Sequence, residues 1–158
     1  MADQFKDFIR VFAALEKHQV DYILIGGVAV IFYGMERLTR DIDIFVKLEP
    51  ENIQRLRKAL YSVFEDPVIE EITLEELQNY PVIRYGTPEE FYIDILARLG
   101  EIATYADLEY AQLEYEGITI RIGTPETLYW LKKDTIRDKD KLDARFLEEI
   151  IKERKGTS

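Results

Sequence analysis

Asp41 and Asp43 occupy alternate positions in Arg40 to Val46, a segment in which polar and apolar residues alternate. On an extended strand that spacing sends both carboxylates and Phe45 to one face and Ile42, Ile44 and Val46 to the other. Residues two apart on a strand are about 6–7 Å apart at the backbone, close enough for their side chains to converge on metal ions spaced roughly 3.5–4 Å apart. Without a cation the two would repel, or simply stand solvated on an edge strand. Asp94 offers a third carboxylate, placed with Tyr92 and Leu96 on one face of the apolar segment Phe91 to Leu96, where an acid is costly without a partner. Three oxygen donors completed by substrate phosphates suit Mg²⁺, or Mn²⁺, with two ions expected.

Gly26-Gly27 lies between the short apolar run Tyr22 to Ile25 and a compact apolar helix, Val28 to Tyr33, closed by Gly34. Glycines there let backbone amides and a helix N-terminus face an anion at close range, or else they form an ordinary tight turn. Arg37 and Thr39 offer a guanidinium and a hydroxyl that could face phosphate or fix the turn into the aspartate strand. Lys132, Lys133 and Arg137, near the end of a later helix, could neutralise a triphosphate or complement that helix's dipole.

The remaining composition narrows the chemistry. There is no cysteine, His18 is the only histidine, and Ser62 and Ser158 are the only serines. A disulfide scaffold, a thiolate zinc site, a Ser-His-Asp triad and a multi-histidine metal centre are therefore excluded within one chain. Twenty-one basic against thirty-one acidic residues give a formal net charge of −10, which disfavours a long nonspecific nucleic-acid footprint. No apolar run approaches the roughly 20 residues of a membrane span, and the first residues mix charge with apolar positions, so a cytoplasmic protein without membrane contact is expected.

The positioning elements follow from periodicity and caps. Phe5, Phe8, Ile9, Phe12 and Leu15 predict an amphipathic helix ending near His18, and Pro50 opens another through about Tyr61. Thr73 and Glu76 resemble a capping box, Val82 to Tyr85 reads as a strand, and Leu113 to Tyr115 with Ile118 to Ile122 as a hairpin. Thr124-Pro125-Glu126 starts a helix, and a last one runs from about Asp140 toward Arg154. With 158 residues, 47% of them hydrophobic, one domain over 1–158 is expected, with its core at about 20–97 and a hairpin and helices at about 104–155; the part after about Ala103 is expected to be peripheral to the sheet.

Gly26-Gly27, then Arg37-x-Thr39-x-Asp41-x-Asp43, then Asp94 in an apolar strand, resembles the nucleotidyltransferase superfamily, the fold shared by polymerase beta and minimal nucleotidyltransferases. The double glycine, with Leu128 through Lys132 and Arg137-x-x-Asp140-x-x-Asp143, is similar to the AbiEii/AbiGii-toxin-like branch. The resemblance implies an α+β nucleotidyltransferase fold, a mixed β-sheet flanked by helices with a C-terminal helical segment, and the Asp41/Asp43 and Asp94 strands side by side. It also implies Mg²⁺-dependent transfer of a nucleoside monophosphate from a nucleoside triphosphate to a hydroxyl acceptor with release of pyrophosphate. Asp41, Asp43 and Asp94 would hold metal and Asp94 would serve as base, with Gly26, Gly27, Arg37, Thr39, Lys132 or Lys133, and Arg137 around the nucleotide. The acceptor is open among a transfer-RNA end, a protein and a small molecule, and an antitoxin partner is suggested by the branch name alone. The alternative is a non-catalytic nucleotide-binding module that acts through a partner protein.

Overall fold

A computed structural model describes residues 2–99, 103–132 and 138–156. The chain runs α1 (Ala2–Lys17), β1 (Tyr22–Ile25), α2 (Gly26–Phe32), β2 (Asp41–Val46), α3 (Pro50–Phe64), α4 (Leu74–Asn79), β3 (Ile83–Gly86), β4 (Tyr92–Leu96), β5 (Arg98–Leu99), β6 (Ala103–Thr104), β7 (Tyr110–Tyr115), β8 (Ile118–Gly123), α5 (Pro125–Lys132) and α6 (Asp138–Gly156). Six strands form one mixed sheet in the order β3-β4-β2-β1-β8-β7, in which β2 with β4 and β1 with β8 are parallel and the other pairs antiparallel. The short β5 and β6 make a separate ladder that the sequence pattern does not signal.

The helices are set by where apolar residues recur. Phe8, Ile9, Phe12 and Leu15 of α1 are buried, α1 packs on α3 and β8, and the Phe8 ring meets the Phe91 ring edge-on at 5.0 Å. Each such buried side chain contributes about 1.5–3 kcal/mol relative to exposure. Thr73 caps α4 by accepting the Glu76 amide, and the Thr124 hydroxyl accepts the Thr127 amide at the start of α5. Helix α3 runs to Phe64, one turn beyond the expected end, and stops at Glu65 in a left-handed conformation.

One buried side chain fixes the register on which the site depends. Asn52, fully buried on α3, accepts the Asp21 amide at 2.7 Å and donates to the Asp21 and Lys47 carbonyls at 3.0 and 2.9 Å. It pins the start of β1 to the end of β2, so the antiparallel ladder places Ile25 opposite Asp43 at the other end.

Two expectations need correction. The second helix begins at Gly26, so the double glycine is the helix's first turn and not a turn ahead of it. The hairpin at 110–123 is not peripheral: β8 lies parallel to β1, with Leu24 opposite Ile122, inside the main sheet. All four residues of β1 are buried, so its backbone groups need a hydrogen-bonded neighbour on each edge, and β8, with Ile120 and Ile122 buried, supplies the second.

Candidate active site

The parallel pairing of β2 with β4 sets Asp41 opposite Tyr92, Asp43 opposite Asp94 and Phe45 opposite Leu96. The three aspartates therefore share one face of two central strands, as strand alternation predicts. Asp94 is buried, and the Asp43 carboxyl is close enough to hydrogen-bond to it. Burial pushes the Asp43 carboxyl up to about 7, and the neighbouring charges of Asp94 and Asp41 push the same way.

The double glycine explains how Asp43 fits. Gly26 has a positive φ of 75°, and a β-carbon on it would lie 2.1 Å from Asp43 Oδ2. A β-carbon on Gly27 would lie 3.1 Å from the Arg37 Cζ. The two glycines thus leave room for an acid on one side and a guanidinium on the other, a steric reason invisible in the sequence.

Arg37 and Lys132 converge on a third element. Both pair with Oδ2 of Asp143, a residue of α6 that is 1% exposed, with Lys132 Nζ at 2.8 Å. Asp143 closes the pattern Arg137-x-x-Asp140-x-x-Asp143, and in the fold it pairs with two cations. The Thr39 hydroxyl exchanges hydrogen bonds with the Asp41 amide and carbonyl at 3.2 and 3.3 Å, so in this structure it fixes the turn into β2. Lys133 and Arg137 lie outside the described residues.

Sequence reasoning missed Arg84. On β3 it stands opposite Asp94, donating from Nε to Oδ1 at 2.9 Å and from Nη2 to Oδ2 at 3.0 Å, and Nη2 also reaches Asp41 Oδ2 at 3.1 Å. The available signal was the strand pattern at Val82 to Tyr85: an antiparallel neighbour of the Asp94 strand carries one residue directly beside the acid.

Four of the site residues border a cavity of about 280 Å³. Gly26, Asp43, Asp94 and Lys132 form its polar part, and Phe45, Leu96 and Leu128 are among its apolar lining. Among the described residues no three acidic or imidazole side chains converge as a ready metal cage, and the Arg84 guanidinium is what holds Asp41 and Asp94. The donor set nevertheless fits a hard divalent ion: three carboxylates in adjacent register, one of them destabilised as an anion and two of them bordering the cavity.

The fold is shared with solved nucleotidyltransferases. The lincosamide antibiotic adenylyltransferase LnuA, solved with lincomycin bound, is 18% identical, with 92% of this chain and 96% of that one covered at a TM-score of 0.59. An antigenic nucleotidyltransferase-like protein from Paracoccidioides brasiliensis is 17% identical, covering 94% and 76% at 0.56. The antibiotic-resistance factor ANT(2'')-Ia is 14% identical, covering 95% and 85% at 0.52. At such identities the likeness is one of fold. No curated protein matches the sequence. Residues 10–146, however, match the family described as "Nucleotidyl transferase AbiEii toxin, Type IV TA system". The chain belongs to the AbiEii family. Membership places it in the general nucleotidyltransferase class of enzymes, and the match spans β1 through α5 and into α6, every element that carries a described site residue. No helix among the described residues is long and apolar enough to cross a membrane.

Proposed function

We propose that the protein transfers a nucleoside monophosphate from a nucleoside triphosphate to a hydroxyl-bearing acceptor and releases pyrophosphate. The observation that carries this reading is the in-register pairing of Asp43 with Asp94, two residues from Asp41, on the border of a cavity that Lys132 also lines. Asp41, Asp43 and Asp94 would hold Mg²⁺ or Mn²⁺, which take few protein oxygens and complete their shell with phosphate and water. Bound there, such ions lower the pKa of the acceptor hydroxyl and offset charge on the leaving pyrophosphate.

The rest of the work falls to the chain. Asp94 takes the acceptor's proton as the acceptor oxygen bonds the α-phosphorus and the α–β phosphate link breaks. His18 is not available for this role, because it lines a different groove with Arg57 and Tyr61. Lys132 and Arg37, held in place by Asp143, offset charge on the triphosphate, and Arg137 joins them as a phosphate contact. Gly26 and Gly27 add no side chain of their own at the start of α2, so that phosphate can approach backbone there beside Asp43 and Arg37. The acceptor is a transfer-RNA end, a protein hydroxyl or a small molecule, and the family's description as a toxin supports an antitoxin partner.

Incubation of α-labelled nucleoside triphosphates with each acceptor class and Mg²⁺ tests this. Label attached to one class by the wild type, and lost in Asp94→Asn, is the expected result. Nucleotide that binds and stabilises the protein while no label reaches any acceptor would favour the non-catalytic module acting through a partner.

A further inference from the structure

Arg84 is placed unlike the other arginines among the described residues. It stands on β3, the edge strand of the sheet, and its guanidinium bridges two of the three site carboxylates, gripping both oxygens of Asp94 and one of Asp41. The three side chains differ sharply in exposure: that of Arg84 is 52% exposed, that of Asp41 28% and that of Asp94 11%. The acids are thus anchored in central strands, and the cation that neutralises them comes from the rim. The Arg84 Cζ also lies 4.5 Å from the centre of the Tyr92 ring, an exposed aromatic face on which a guanidinium remains favourably placed when its hydrogen bonds are given up. Resting on Tyr92, Arg84 keeps its ring contact when it gives up the carboxylates, whereas Asp41 and Asp94 cannot follow it.

A divalent ion and this guanidinium compete for the two acids, since like charges a few ångströms apart repel strongly and three of the four carboxylate oxygens already accept from Arg84. We propose that Arg84 is an internal counter-ion that divalent metal must displace: in metal-free protein it holds Asp41 and Asp94 together, and metal entry is an exchange in which the guanidinium swings off the carboxylates toward solvent. This rests on the metal-dependent reading of the site. It has two consequences. The guanidinium keeps the metal-free acids from driving one another apart, and it weakens the affinity for free metal by the strength of a charge-assisted, forked pair. Arg84 is on this account a positioning residue, acting on the site through Asp41 and Asp94.

The test is Mn²⁺ binding without nucleotide, followed by the electron-spin-resonance signal of free Mn²⁺, in wild type, Arg84→Met and Arg84→Lys. Arg84→Met should bind Mn²⁺ roughly tenfold more tightly, the size of one forked ionic hydrogen bond. Arg84→Lys keeps the charge but cannot fork, and should show a smaller gain. Side-chain NMR of isotope-labelled arginine in the wild type gives an independent readout: the Arg84 Nε–H signal, identified by its loss in Arg84→Lys, should shift and exchange faster with solvent along the Mg²⁺ titration. Equal affinities in the three proteins, or an Nε–H signal unmoved at saturating Mg²⁺, would overturn the proposal while leaving the metal site standing. A gain in Arg84→Met with none in Arg84→Lys would also overturn it, in favour of a diffuse charge effect. Absence of Mn²⁺ binding in all three would remove the metal site itself and the exchange with it.

Discussion

Two ionic clusters lie near one another and are built with opposite imbalance. Among the described residues, Asp41 and Asp94 share one guanidinium, Arg84, which comes from an edge strand and is half exposed, and Asp43 adds a third carboxylate beside them. Across the double glycine the ratio reverses, with Arg37 and Lys132 sharing the carboxylate of Asp143, 1% exposed on α6. The first cluster is short of positive charge, and its strain is visible in Asp43, pushed up to about 7 chiefly by burial and then by its acidic neighbours. The second is buried and ties α6 to both the loop before β2 and the end of α5. On the proposed function, a metal–triphosphate complex would correct both at once, its cations meeting the acids and its phosphates meeting the bases. The contrast teaches which cluster is built to change partners and which to hold the fold.

The largest effect should come from emptying the first cluster. Asp41→Asn with Asp43→Asn should lower transfer by more than roughly 10³-fold, since several kcal/mol of charge stabilisation disappear, and should abolish Mn²⁺ binding without lowering metal-free stability; a variant that keeps Mn²⁺ places the metal elsewhere. Asp143→Ala should do the reverse. Arg37 and Lys132 lose a buried carboxylate, so urea unfolding should show a loss of about 3–5 kcal/mol, while Mn²⁺ binding by the folded protein persists; a neutral outcome would mean that the second cluster does not anchor α6. Gly26→Ala should cost about 1–2 kcal/mol for the left-handed backbone alone, and should also weaken Mn²⁺ binding because the new methyl group must displace Asp43. Destabilisation with unchanged Mn²⁺ affinity would separate the glycine from the site.

The smallest effect is the pH dependence of metal-free protein. Asp43 titrates far above the ordinary carboxylate value in the fold, so protons bind the native state more tightly than the unfolded chain. Its contribution to stability is fully present below about pH 4 and is lost as pH rises through about 7. In chelator-treated protein the urea midpoint should therefore fall across this window, Asp43→Asn should flatten the fall, and Mg²⁺ should do the same in the wild type. A midpoint that rises across the window in chelator-treated protein would contradict the assignment of strain to Asp43.

Much of the acidic cluster was legible because it depends on local periodicity. Alternation alone put Asp41 with Asp43 and Asp94 with Leu96 on single strand faces, as the ladders bear out. That Asp43 and Asp94 are neighbours came from family resemblance, since strand order is a long-range property that spacing does not encode. The placement of β8 beside β1 was misread for the same reason: a parallel partner joined through distant chain leaves no local mark. Arg84 escaped notice because its partners arise from an antiparallel register across a turn, in a strand that carried no acid of its own. Gly26 was legible only as half of a glycine pair that could face an anion or make a tight turn, because Asp43, the side chain that requires it, is brought there by the β1–β2 register that Asn52 pins.

The central claim, that acids from β2 and β4 hold metal beside the nucleotide's phosphates, is tested most directly by anomalous scattering from crystals grown with Mn²⁺ and a non-hydrolysable nucleoside triphosphate analogue. The account predicts Mn²⁺ peaks within coordination distance of Asp41, Asp43 and Asp94, the Arg84 guanidinium withdrawn from them, and phosphates on the side of Lys132. Nucleotide bound with no Mn²⁺ peak between these carboxylates, or with its phosphates remote from Gly26 and Lys132, would contradict it.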